Sequence, residues 1–229
     1  WAFAELADEV REGEALPFDR FVLLSLRSPA DPADPLGPEW LELLAKDITS
    51  LGGVAVLSLI TLAVVGFLLL VRRRVEAGLV GVAVAGGAAL SSLLKWSFGR
   101  ARREAILHST EVFTASFPSG HAMLSAVVYL TLGAILAQGQ GRLRVKVYLM
   151  AVAAVVTGLV GVSRVYLGVH WPRDVLAGWS MGLAWAVLCW LGTRWIQRRR
   201  PAARPSGRAS LRPRDQIGAH SGEDQGLQR

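Results

Sequence analysis

Cysteine is nearly absent from this chain. The single Cys189 among 229 residues excludes an internal disulfide and, lying inside an apolar run, reads as a packed, inert thiol. Charge is missing from long stretches as well. Segments 48–71, 77–94, 122–141, 147–163 and 175–193 contain no Asp, Glu, Lys or Arg, and 52% of the chain is hydrophobic. A spanning helix needs about 20 mostly apolar residues, and every one of these runs is long enough. In hydrocarbon each backbone polar group must be satisfied within the protein, so helices are the expected form. A soluble domain of buried helices is the bland alternative. Five successive uncharged runs, each closed by an arginine or a lysine, weigh against it. The sequence opens on Trp1 rather than Met, and any signal or earlier spanning helix would lie upstream.

Charge sets the expected orientation. Residues 1–47 hold eleven acids and four bases, whereas residues 194–229 hold nine arginines and three acids. The links 72–76 (RRRVE) and 142–146 (RLRVK) are basic too. Short cytoplasmic loops collect Lys and Arg. Alternate threading then puts 1–47, 95–121 and 163–174 outside, with 72–76, 142–146 and the tail inside. The expected organisation is an external amphipathic segment over 1–47, a transmembrane domain over 48–194, and a disordered basic cytoplasmic tail over 195–229. Within the first segment, Trp40, Leu41, Leu44 and Ile48 recur at helical spacing, which predicts a helix at the membrane surface. The tail is rich in Arg, Pro, Ala and Ser without apolar period, which predicts disorder. The net charge of +7 belongs mostly to the inside flanks and tail, where anionic headgroups account for it without nucleic acid.

The unusual polar residues gather in the two outer loops. One carries Lys95, Arg100, Arg102 and Arg103 and ends in Phe117-Pro118-Ser119-Gly120-His121; the other carries Ser163, Arg164, His170 and Asp174. Bases this dense on an external face run against the usual trend, and an anionic substrate is the simplest reason. An arginine fork suits phosphate oxygens bidentately, and Lys95, Arg102 and Arg164 would supply fixed positive charge. Ser119 and Gly120 precede the helix expected to start near His121, where exposed N–H groups bind anions and glycine allows close approach. Pro172 predicts the start of the last spanning helix, placing His170 within reach of Asp174. A carboxylate on one ring nitrogen leaves the other as base or nucleophile, and His121 remains as a general acid.

Each piece alone has a plainer explanation. A His–Asp pair at helical spacing is commonly a capping contact, Ser-Gly before a helix a simple cap, and lone arginines interfacial anchors. His121, His170 and Asp174 could also serve as three metal ligands, but the surrounding cations would repel a divalent ion. His108 and His220 fit no pattern.

Taken together, these residues resemble the type-2 phosphatidic acid phosphatases, the membrane branch of a superfamily that also holds bacterial acid phosphatases and vanadium haloperoxidases. That family shows Lys, six residues, then Arg-Pro; later Pro-Ser-Gly-His; later Ser-Arg, five residues, His, three residues, Asp. Here Lys95 and Arg102, then Pro118–His121, then Ser163-Arg164, His170 and Asp174 keep this order and spacing. The resemblance spans residues 40–195. It departs at Arg103, which stands where the family has a proline.

The resemblance implies an all-α polytopic membrane bundle, with five spanning helices visible of the family's six and the active site at the outer face. It implies that His170 attacks phosphorus, Asp174 orients it, and His121 protonates the leaving oxygen. Lys95, Arg102, Ser119, Gly120 and Arg164 would hold the phosphate, preorganised donors of this kind contributing about 3–4 kcal/mol each. No metal or cofactor is required. The implied substrate is a membrane lipid phosphate or diphosphate (undecaprenyl diphosphate, phosphatidate or phosphatidylglycerol phosphate), hydrolysed at the outer face of the inner membrane. Transfer to another lipid or sugar is the alternative chemistry, and a catalytically silent lipid-binding or transport relative the alternative class. The number of chains per assembly is not encoded in any of these features.

Overall fold

The computed structural model describes residues 17–29, 31, 34–102 and 117–199, with backbone alone for 98–102 and 199. The expectations for 1–16, for Arg103 and His108, and for the tail with His220 lie outside the described residues. Among those described there are seven helices: α1 (Pro17–Ser25), α2 (Glu39–Ser50), α3 (Val54–Leu70), α4 (Arg74–Arg102), α5 (Gly120–Gln138), α6 (Leu143–Tyr166) and α7 (Pro172–Arg199). The all-α expectation is met. Helices α4 to α7 are each long and apolar enough to cross a bilayer, and the pair α2–α3, bent by 44°, makes a fifth span if counted as one. Leu59, Leu62 and Leu70 are 70%, 71% and 84% exposed. So much outward apolar surface is ruinous in water and ordinary in lipid.

The apolar run 48–71 is expected as one continuous span, and the chain breaks it. Ile48, Thr49 and Ser50 end α2, while Gly53, extended at φ −72° and ψ 147°, caps the start of α3. Gly52 sits in the bend against Val160 and His121, where an added Cβ would come within 2.5 Å of Val160 Cγ1. The Tyr129 hydroxyl of α5 donates to the Leu51 carbonyl at 2.8 Å and ties the bend to the bundle. The expected surface helix is α2; it buries Ala45, leaves Trp40 63% exposed, and packs against α6.

Helix α5 is the centre. In its apolar window 61% of residues are buried, against 22–33% in the other three long helices. Small residues make this possible. Gly178 and Gly182 of α7, four apart and therefore on one helix face, lie directly on the Ser119 and Met123 carbonyls of α5. Tryptophans bolt α7 to its other neighbours: Trp185 Nε1 donates to the Ala83 carbonyl of α4 at 2.9 Å, and Trp179 Nε1 to the Thr157 carbonyl of α6 at 3.2 Å.

Candidate active site

The segments holding the predicted site residues meet at one end of the bundle, where α5 and α7 begin and α6 ends. Ser119 is the N-cap of α5. It is extended at φ −64° and ψ 113°, fully buried, and its Oγ accepts from the Ala122 N–H at 3.5 Å. Serine is favoured here because it satisfies one of the orphan N–H groups of the first turn. The Ser119 N–H itself donates to the main-chain carbonyl of Asp174 at 3.0 Å. The Pro-Ser-Gly-His motif and the His-Asp motif, fifty residues apart in sequence, are thus joined through backbone.

Pro172 opens α7, as its fixed φ predicts. In the first turn Asp174 is fully buried, and its Oδ2 accepts from the Trp171 N–H at 3.2 Å and lies 3.5 Å from His170 Nδ1. The carboxylate therefore faces Nδ1, and Nε2 is the ring atom opposite that contact. His170 itself is 7% exposed.

The second imidazole is on α5. Arg164, His170 and Lys95 all act on His121 electrostatically, and Arg164 acts on Lys95. Three helices and the connection that carries His170 thus bring two imidazoles and two cations into one field. Lys95 Nζ lies over Gly120, where a Cβ would stand 2.7 Å from it and 3.5 Å from Ser91 Oγ. A side chain at that position would push the ammonium aside. Arg164, in the last turn of α6, has Nη1 3.5 Å from Thr49 Oγ1, and its buried Nε has no hydrogen-bond acceptor among the described residues. A buried guanidinium N–H without an acceptor is costly, and a ligand oxygen would satisfy it.

Lys95 was expected at the mouth of a loop. Instead α4 continues through it to Arg102. Seven residues is close to two turns, so the backbone puts Lys95 and Arg102 on the same helix face; the Arg102 side chain lies outside those described. Among the described residues no three carboxylate, thiol or imidazole groups converge closely enough to hold a metal ion.

Sequence reasoning missed several supporting residues. Ser91 lies beside Gly120 under Lys95, Thr49 meets Arg164, Gly52 abuts His121, and Arg173 lies buried between His170 and Asp174 in sequence, paired with Asp19 of α1 at 2.7 Å. Ser91 is one helical turn from Lys95 and could have been found by spacing. The others have no local signal.

The PAP2 superfamily profile matches residues 76–198, over half of the chain. Phosphatidylglycerophosphatase B of Bacillus subtilis is 36% identical over 148 residues, covering 63% of this chain and 71% of that protein. An undecaprenyl-diphosphatase of Sulfolobus acidocaldarius is 39% identical over 67 residues, which cover 29% of this chain and 28% of that protein. The crystal structure of a transmembrane PAP2-type phosphatidylglycerolphosphate phosphatase from Bacillus subtilis superimposes with a TM-score of 0.67 at 28% identity, covering 86% of this chain and 95% of that one. LpxE of Aquifex aeolicus shares the fold, with a TM-score of 0.53 at 23% identity over 78% of this chain and 96% of that one. The motif residues, the spans that carry them and these likenesses agree: the chain belongs to the PAP2 superfamily and is one of its membrane phosphatases.

Proposed function

We propose that the chain hydrolyses a lipid phosphate or diphosphate without a metal, through a phosphohistidine at His170. The observation that carries this reading is the Ser119 N–H to Asp174 carbonyl bond, with His121, Lys95 and Arg164 grouped around it. With Nδ1 facing Asp174, Nε2 of His170 attacks phosphorus. The P–O bond to the lipid breaks as His121 gives its proton to the leaving oxygen. Water then attacks phosphorus, losing a proton to His121, and as the new P–O bond forms the P–N bond breaks, so inorganic phosphate departs with His170 restored. Lys95, Arg102 and Arg164, with the Ser119 hydroxyl and the N–H groups at Gly120 and His121, hold the phosphoryl oxygens and carry the charge that develops on them.

The basic links 72–76 and 142–146 support an orientation in which they face the cytoplasm and the site, at the opposite end of the bundle, faces outward. An outward site in an inner membrane favours undecaprenyl diphosphate, with phosphatidylglycerol phosphate and phosphatidate as the other candidates; both kinds of substrate name occur among the relatives. The test is release of inorganic phosphate by the purified chain in EDTA, across a panel of these lipids, beside His170→Ala. Metal-independent release abolished by that substitution is the expected result. Unchanged release by His170→Ala would overturn the assignment of the nucleophile.

A further inference from the structure

His170 sits on a short connection, residues 167–171, between the end of α6 and the start of α7. Both shoulders of that connection are gripped by one stretch of the N-terminal segment, which carries no reacting group and lies outside the family match of 76–198. On the α6 side, Arg27 Nη2 donates to the Tyr166 carbonyl at 3.1 Å, and the Tyr166 hydroxyl donates back to the Leu36 carbonyl at 3.1 Å. The Arg27 guanidinium lies against Gly168, whose φ of +72° ends the helix and whose missing Cβ leaves the space Arg27 fills. On the α7 side, Asp19 Oδ2 pairs with Arg173 Nε at 2.7 Å, and Asp19 Oδ1 accepts from the Arg173 N–H at 3.3 Å.

Asp19, Arg173 and Arg27 are 1%, 5% and 8% exposed. Buried charge is a poor route to stability, since desolvation offsets most of the attraction. It is a good route to fixed geometry. The signs also match the helix ends: a cation on the carbonyls closing α6 and an anion on the N–H groups opening α7. Arg27 is held in turn, because Leu36 N–H donates to the Leu26 carbonyl at 2.8 Å and Ser28 N–H to the Asp34 carbonyl at 2.9 Å, closing the turn that presents it.

We infer that Asp19 and Arg27 are positioning residues that clasp both ends of the 167–171 connection and set where His170 meets phosphorus. The inference rests on His170 being the nucleophile. Neither residue touches the substrate; each acts through the backbone that carries the imidazole. Of the groups assigned to the phosphate, Lys95, Arg102, Ser119, Gly120 and His121 belong to α4 and the start of α5, and only Arg164 shares a helix with the clasp, so loosening the clasp degrades the attack far more than the binding.

The test uses the full chain in detergent or nanodiscs. Asp19→Asn is expected to lower kcat about 10- to 100-fold, the scale of a misplaced nucleophile. KM, and the inhibition constant of inorganic phosphate as a probe of the cradle, are expected to stay within about 3-fold. Asp19→Glu should recover part of the loss. Asp19→Asn combined with Arg173→Met should be no worse than the poorer single variant, because both cut one link. Arg27→Lys, which keeps the charge but shortens the reach to Tyr166, should lower kcat in the same way and serves if Asp19→Asn does not fold. Wild-type kcat in folded Asp19→Asn or Arg27→Lys would overturn the inference. So would an unchanged kcat with KM and the phosphate inhibition constant rising together. A parallel His170→Ala separates the two proposals: if it is inactive while the clasp variants keep full activity, only the clasp fails, and if it stays active, the nucleophile assignment fails first.

Discussion

Two regions of this molecule divide the work unevenly. Residues 76–198 supply every side chain assigned to the chemistry, whereas residues 17–53 supply none and yet touch Arg164 and His121 and brace the connection that carries His170. Thr49 reaches Arg164, Gly52 backs His121, Arg27 holds Tyr166 and Asp19 holds Arg173. The difference teaches how a membrane-surface site is made rigid. Reacting groups are placed at the ends of three packed helices, and helix ends fray unless something outside the bundle completes them.

The comparison is broken most severely from the reacting side. His170→Ala is expected to lower phosphate release on the order of 10⁴-fold or more, since no neighbouring group can replace the nucleophile. If that loss were as small as those from the N-terminal region, the division drawn here would disappear. His121→Ala should cost roughly 10²- to 10⁴-fold on a lipid phosphate. It should cost far less on an aryl phosphate, whose leaving oxygen needs little help from a proton; equal losses on both substrates would remove His121 from the acid role.

From the N-terminal side, Gly52→Val forces a side chain into the space beside Val160 and His121. Overpacking of this kind commonly costs about 1–3 kcal/mol. Here it should appear both as a lower melting temperature and as a kcat reduced about 10-fold, read in one preparation by thermal unfolding and phosphate release. Smallest of the set is Thr49→Val. Its 3.5 Å contact to Arg164 is long, so KM should rise no more than about 5-fold, the equivalent of one ordinary hydrogen bond. A large fall in kcat from Thr49→Val would mean that the N-terminal region does more than hold.

The two regions were also unequally legible. The site motifs are local patterns, so Lys95, Ser119, Gly120, His121, Arg164, His170 and Asp174 could be singled out as candidates from the two outer loops and the family pattern that they resemble. The long apolar runs likewise mark α4 to α7, because absence of charge over a bilayer's width has few other meanings. The ends of those helices were less visible. Helix α4 passes through Lys95 to Arg102, since backbone hydrogen bonding does not stop where the hydrocarbon does. The bend after Ser50 was hidden for the opposite reason: Gly52 and Gly53 are as uncharged as the run they interrupt. The N-terminal contacts were not legible at all. Asp19 and Arg173 are separated by 154 residues, and Arg27 and Tyr166 by 139. Nothing in an aspartate or an arginine announces a partner that far away.

The bond from the Ser119 amide to the Asp174 carbonyl uses no side chain. Most substitutions at either position leave donor and acceptor in place, and cutting the bond takes a proline at 119 or an ester in place of that amide. Sequence drift can therefore change the side chains around this site while the backbone spacing between the Pro-Ser-Gly-His and His-Asp motifs stays put. Any adaptation to a new headgroup must come from the rim.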